Sequence, residues 1–240
     1  MKANSITDPI KAILFDKDGT LIDMTETWVP TFKAAAQELE RRTGKPGMAD
    51  RVLADTGFEQ AQNRIHPSSA LAMYSNREVL EIWLGPGGDT DLIEPMLDFI
   101  ADTAIRRTQP LFELAPFFAA LQARQYGLGI ATMDAELVAQ VTADKFGLLP
   151  HLDFIAGFDS GHGEKPAPGM IHAFCRQLDL EPEEIAMVGD TNHDLAMGRN
   201  AGAGLVIGVL SGGNQRAQLM DQADIILEDA RGLLELLPST

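Results

Sequence analysis

The 240-residue chain holds one cysteine, Cys175, so no intrachain disulfide can form. Its setting, Ile171-His172-Ala173-Phe174-Cys175, reads as a helical core face, where a free thiol behaves as a small hydrophobe. No apolar run approaches the roughly 18 residues of a membrane span. Met1 to Ile10 lacks the apolar segment of a secretory signal. Together these absences lead us to expect a cytoplasmic protein. Basic residues are also scarce, 19 Lys and Arg against 35 Asp and Glu, for a net charge of −16. That balance argues against nucleic acid or an anionic membrane as partner. An anionic substrate would then need strong local positive charge, from a metal and one or two well-placed lysines.

Ready-made ligand motifs are missing too. An EF-hand starting at Asp16 needs Gly at Leu21 and Glu at Thr27, and one starting at Asp190 needs Gly at Leu195 and Glu at Ala201. There is no P-loop and no glycine-rich dinucleotide fingerprint. The Gly-x-Ser-x-Gly nucleophile elbow is absent as well. Neither internal repeats nor low-complexity tracts occur.

What remains is an ordinary globular composition, 45% apolar, in a chain long enough to bury a large core. Short apolar runs read as strands at Lys11–Phe15, Gly127–Thr132, Asp153–Ala156, Ile185–Val188 and Leu205–Val209, with a weaker one at Asp224–Leu227. Helical stretches lie between them near Ala115–Arg124, Glu136–Phe146, Met170–Leu178 and Asp194–Ala201. Such alternation predicts an α/β fold with a parallel sheet covered on both faces.

The segment from Asp23 to Thr108 differs. Helical patterns at Val29–Arg42, Met48–Asp55, Ser68–Leu84 and Leu92–Arg107 are broken by Gly44-Lys45-Pro46-Gly47, His66-Pro67 and Gly85-Pro86-Gly87-Gly88. No convincing strand is visible there. This predicts a helical domain at residues 22–109, inserted into an α/β core of residues 1–21 and 110–240. Linkers are expected near Leu21–Met24 and Gln109–Phe112. An insertion beside the first strand is well placed to close over a site.

Four segments fall at predicted strand ends, where open α/β sheets bind ligands. The first is Asp16 and Asp18 in Phe15-Asp16-Lys17-Asp18-Gly19-Thr20-Leu21. Thr132 is the second. The third is Lys165, in Gly163-Glu164-Lys165-Pro166-Ala167-Pro168. The fourth is Gly189-Asp190-Thr191-Asn192-His193-Asp194. Each has a bland reading as a turn, a structural threonine, a solvated lysine or a helix cap. The four in this order, each at a strand end, point instead to one site. Two aspartates so close together suggest a bound cation or a shared proton.

In this order the segments resemble the haloacid dehalogenase superfamily of phosphohydrolases. The resemblance covers Lys11–Leu21 and about Leu111–Leu237, with the helical insert in the place of the family's C1 cap on a Rossmann-like core. Glu-Lys-Pro-Ala-Pro and the run Asp194 to Gly202 strengthen the likeness, which is greatest to the phosphoglycolate phosphatase-like branch. It implies that Asp16 is a nucleophile forming an aspartyl-phosphate and that Asp18 is general acid and then base. It further implies that Thr132 binds a phosphoryl oxygen and that Lys165 holds Asp16 and the phosphoryl group. Mg²⁺ is the implied cofactor, bound by Asp16, Asp190 and the Asp18 carbonyl, with Asp194 behind them or bridged by water. Phosphoryl transfer needs such positioning and charge neutralisation whatever the family.

Asp18 favours a phosphatase or phosphomutase over a halide-displacing enzyme, because a leaving oxygen needs a proton. The implied partner is a small phosphorylated metabolite, plausibly 2-phosphoglycolate, with no nucleic acid and no membrane. The chain is expected to be a monomer or homodimer. The alternatives are a β-phosphoglucomutase-type mutase and a non-enzymatic binding protein on the same fold. A phosphonate hydrolase is disfavoured, because the insert lysines Lys33 and Lys45 sit in no recognisable motif. Met133 and Lys17 depart from the family pattern, and the Lys17 side chain is expected to point away from the two aspartates. Arg64, His66, Arg77 and Trp28 in the insert, and His162 near Lys165, read as surface, packing or loop residues.

Overall fold

The computed structural model describes residue 7 and residues 9–66 and 68–237. Most of the N-terminal stretch read for a secretory signal, and the helix breaker Pro67, lie outside the described residues. Strand β1 (Ala12–Phe15) comes first. Helices α1 (Met24–Thr43) and α2 (Met48–Asp55) follow, then the two-residue strands β2 (Phe58–Glu59) and β3 (Arg64–Ile65). Next are α3 (Ala70–Met73), α4 (Asn76–Leu84), α5 (Ile93–Arg107) and α6 (Leu114–Ala123). Strand β4 (Gly127–Ala131), α7 (Glu136–Lys145), β5 (Phe154–Ala156) and α8 (Gly169–Leu178) continue the alternation. The chain closes with β6 (Ile185–Gly189), α9 (Asn192–Ala201), β7 (Leu205–Val209), α10 (Arg216–Leu219), β8 (Ile225–Leu227) and α11 (Leu233–Leu236).

The chain divides into two compact units, Met1–Ile22 with Pro110–Thr240, and Asp23–Gln109. In the first, six parallel strands run in the order β5-β4-β1-β6-β7-β8. Strand β1 is flanked by β4 and β6, whose chains depart in opposite directions along the sheet. That is the switch point where α/β sheets open a crevice at their carboxyl ends. Strands β1, β6 and β7 are buried along their whole length, as a sheet covered on both faces requires. Alternation along β1 feeds two cores. Ile13 and Phe15 pack with Phe117, Phe118 and Leu121 of α6. Ala12 and Leu14 pack with Met170, Phe174 and Cys175 of α8 and Met197 of α9. The expected α/β fold is therefore borne out.

The second unit has its own core of Trp28, Phe32, Leu39, Leu80, Trp83, Met96 and Ile100. Trp28 and Phe32 stack with ring centroids 5.2 Å apart. Helix α1 starts at Met24 rather than at the expected Val29, because the Asp23 side chain accepts the N–H groups of Thr25 and Glu26 and caps it there. The single helix expected at Ser68–Leu84 is two, α3 and α4. Ser75 and Glu78 form a reciprocal capping box that restarts the chain. The strands β2 and β3 were not expected. Two residues per strand are too few for alternation to show in a sequence. Among the described residues no helix is long and apolar enough to cross a membrane.

Candidate active site

Strand register assembles the site. Phe15 pairs with Ile130 of β4 and with Val188 of β6, so the residues that follow each strand share one edge. Asp16 follows β1, Thr132 follows β4 and Asp190 follows β6. The Asp16 N–H donates to the Val188 carbonyl at 2.8 Å, which fixes the height of Asp16 on the sheet. Lys165 arrives from the loop between β5 and α8. Its ammonium donates to Asp16 Oδ1 at 2.5 Å and to Asp194 Oδ1 at 2.6 Å.

Asp194 is held from its other side. Its Oδ2 accepts from the Thr191 hydroxyl at 2.6 Å and the Thr191 N–H at 3.0 Å, the capping box that starts α9. The cap that starts the helix therefore also orients the carboxylate that holds Lys165. Asp16, Asp190 and Asp194 each offer an oxygen within 4.8 Å of the others, and all three residues are buried. Glycines make the room. A Cβ on Gly212 would lie 1.7 Å from Asp190 Oδ2, and one on Gly189 would lie 2.2 Å from Asp194 Cβ. Gly19 has φ +84°, and a Cβ there would lie 2.5 Å from Asp190 Oδ2.

Three carboxylates against one ammonium leave two negative charges without a counterion if all ionise. Burial pushes the Asp16 carboxyl up to about 7, with Lys165 pulling it back and Asp194 and Asp18 adding to the rise. Burial, then the charges of Asp16 and Asp194, hold the Asp190 carboxyl well above the ordinary range. Burial alone would push the Lys165 ammonium down, but Asp16 and Asp194 outweigh it and hold it up. The Thr20 hydroxyl donates only a long hydrogen bond to the Asp190 carboxylate, 3.4 Å. A buried, oxygen-only, over-acidic cluster of this kind fits a hard divalent cation such as Mg²⁺.

Asp18 is not among the three. Its Oδ2 lies 2.6 Å from the Lys17 ammonium, so the expectation that Lys17 points away from both aspartates is corrected. The two-residue spacing of an extended strand does not persist here. The chain turns at once, with the Leu21 and Ile22 N–H groups donating to the Lys17 carbonyl at 2.8 and 2.9 Å. The Thr132 hydroxyl accepts the Asp134 N–H at 3.1 Å and keeps its own proton to donate.

Sequence reasoning missed Asp134, Asn214 and Ser211. Asn214 donates to the Asp190 carbonyl at 2.9 Å, and the Ser211 hydroxyl donates to the Gly19 carbonyl at 2.7 Å. Both follow β7, a strand end that carried no acidic signal. Asp134 lies two residues past Thr132 and carried no signal of its own, since the sequence does not say that Lys17 is buried and needs a countercharge. The polar residues weighed in the insert are spent within it. Arg64 pairs with Glu59 and Arg77 with Glu94, and His66 Nδ1 accepts the Ser68 N–H at 3.2 Å. His162 stacks on Phe154, with ring centroids 6.1 Å apart. Cys175 is buried and its thiol is pushed up to about 11, chiefly by that burial.

Residues 10–202 match the family model of haloacid dehalogenase-like hydrolases. The chain is 27% identical over 198 residues to a phosphoglycolate phosphatase of Chromobacterium violaceum, covering 82% of this chain and 84% of that one. It is 26% identical over 194 residues to an N-acetylmuramic acid 6-phosphate phosphatase of Pseudomonas putida, covering 80% of each. Its fold is similar to that of CbbY from Rhodobacter sphaeroides, solved in complex with phosphate. The TM-score is 0.71 at 21% identity, over 93% of this chain and 96% of that one.

Proposed function

The chain belongs to the haloacid dehalogenase-like hydrolase family, and we propose that it is a cytoplasmic, Mg²⁺-dependent phosphatase that hydrolyses a small phosphorylated metabolite through an aspartyl-phosphate. The observation that carries this reading is the buried Asp16–Lys165–Asp194 chain beside Asp190 at the sheet's carboxyl edge. Asp16, Asp190 and the Asp18 carbonyl would hold the cation. When bound, Mg²⁺ supplies positive charge against the phosphoryl oxygens, which a site this acidic would otherwise repel.

The protein's own groups do the rest. Lys165 fixes the rotamer of Asp16, so one carboxylate oxygen is aimed before substrate arrives. That oxygen attacks phosphorus. An O–P bond forms as the bond to the leaving alcohol breaks, and Asp18 gives its proton to the departing oxygen. The Thr132 hydroxyl donates to a phosphoryl oxygen. Water then attacks the same phosphorus and Asp18 takes its proton. The bond from Asp16 to phosphorus breaks and inorganic phosphate leaves. Site chemistry of this kind serves many substrates. We place the choice among them in the inserted helical segment and put 2-phosphoglycolate first.

The test is phosphate release from a panel including 2-phosphoglycolate, N-acetylmuramic acid 6-phosphate and pyrophosphate, with and without Mg²⁺, for the parent and Asp16→Asn. Metal-dependent release that the variant lacks supports the proposal. A phosphorylated isomer formed without free phosphate would replace it with a mutase. No turnover of either kind would refute it.

A further inference from the structure

Lys17 is an anomaly. It lies between the two aspartates of the β1 edge, its side chain is 4% exposed, and a buried ammonium is costly unless paired. It is paired twice. Its ammonium lies 2.6 Å from Asp18 Oδ2 and 3.3 Å from Asp134 Oδ2, and the Asp134 side chain is equally buried, at 4% exposure. Asp134 is itself anchored. Its Oδ1 accepts the Ala135 N–H at 3.0 Å, its N–H donates to the Thr132 hydroxyl at 3.1 Å, and its carbonyl accepts the Phe158 N–H at 3.1 Å.

The arrangement repeats the one around Lys165. There, a buried lysine ties Asp16 to Asp194, an aspartate locked by its own helix cap. Here, a second buried lysine ties Asp18 to Asp134, an aspartate locked in the turn after β4. Each aspartate of the β1 edge thus has a lysine, and each lysine has a second aspartate that holds it in place. Burial alone would push the Lys17 ammonium down, but Asp18 and Asp134 outweigh it and keep it charged.

Resting on the phosphatase reading, we infer that Lys17 and Asp134 are positioning residues for Asp18, fixing the carboxyl that protonates the leaving oxygen. The ammonium can donate to Oδ2 whether or not the other oxygen carries a proton. The contact therefore holds while Asp18 acts as acid and again while it acts as base. Asp134 gives Lys17 a second countercharge, which holds the lysine in place while it contacts Asp18. The hydroxyl of Thr132 and the carboxylate of Asp134 share one turn, which couples phosphoryl binding to the placement of Asp18.

The test uses leaving groups, because a misplaced acid matters only where the departing oxygen needs a proton. The Lys17→Met and Asp134→Asn variants would be compared with the parent on p-nitrophenyl phosphate and on the best alkyl phosphomonoester of the panel. For both, kcat/KM reports the first phosphoryl transfer. General acid catalysis contributes about 10²- to 10⁴-fold. Misplacing the acid should therefore lower kcat/KM for the alkyl substrate at least about tenfold, and for the aryl substrate less than about threefold. Equal losses on the two substrates would mean a merely structural role and would overturn the inference, as would no loss on either. If Lys17→Met does not fold, Asp134→Asn decides, since it keeps shape and leaves the lysine. A parent inactive on both substrates would overturn the phosphatase reading and this inference together, whereas an active parent with uniform variant losses overturns only the inference.

Discussion

Replacing Asp190 by Asn should make the metal-free protein more stable while destroying its response to Mg²⁺. Asp190 is buried and its carboxylate lies within 4.8 Å of those of Asp16 and Asp194. At that distance two ionised groups repel by about 3.5 kcal/mol at an effective dielectric constant of about 20. Asp190 meets two such repulsions and one attraction, from Lys165. Roughly one pair's worth survives, and proton uptake by the cluster reduces it to about 2 kcal/mol. Asn keeps the shape that Gly19 and Gly212 accommodate, and its amide can donate to Asp16 or Asp194. For a chain of this size, about 2 kcal/mol corresponds to a rise of about 4–8 °C in Tm. The assay is thermal unfolding at pH 8 in EDTA and then in Mg²⁺. At ten times its Kd, Mg²⁺ should stabilise the parent by about 1.4 kcal/mol, about 3–6 °C, and leave the variant unmoved. A variant no more stable than the parent in EDTA would refute the claim of uncompensated charge. An equal Mg²⁺ response in both would remove Asp190 from the metal site.

Stability in EDTA should also depend on pH with a definite sign. The Asp16 carboxyl titrates at about 7 when folded, against an ordinary value of 3.8. Between these values the folded state holds the extra proton, so Tm falls as pH rises from 5 to about 7. Asp16→Asn should flatten that slope, and a Tm that rises through the same window would contradict the assignment. Gly212→Ala should displace the Asp190 carboxylate, since the new Cβ would sit 1.7 Å from Oδ2. Calorimetric titration should then show Mg²⁺ affinity reduced at least about tenfold, a change of about 1.4 kcal/mol. Phe118→Ala should cost about 3–5 kcal/mol in denaturant melts, because Phe118 is fully buried and packs 5.2 Å from Phe15 beneath the site. Ser75→Ala should cost about 1 kcal/mol by removing the capping box of α4, with kcat unchanged in the phosphatase assay.

Fully buried strands announce themselves by unbroken apolar runs. Ala12–Phe15, Ile185–Gly189 and Leu205–Val209 were therefore readable, and so were the helices between them. The insert was readable as helical because its breakers are glycine and proline. The start of α1 was not, because a lone Asp23 says nothing of the N–H groups it will accept. The residues following β1, β4 and β6 could be picked out as chemical groups at strand ends. Their register could not, since no local pattern states that Phe15 will face Ile130 on one side and Val188 on the other.

Lys17 shows where sequence reading stops. Alternation in an extended chain turns it away from Asp16 and Asp18, yet the chain turns at once and the ammonium lies against Asp18 and Asp134. Local sequence by itself determined the buried strands of the main sheet, the longer helices and the inventory of carboxylates and lysines, because apolar runs and helical periodicity are set by neighbouring residues. Tertiary structure alone decided which lysine serves which aspartate. Lys165 reaches Asp16 across 149 positions, and Lys17 reaches Asp134 from the neighbouring strand. Those pairings depend on strand order, and a buried charge is stabilised by whatever countercharge the completed sheet brings within a few ångströms.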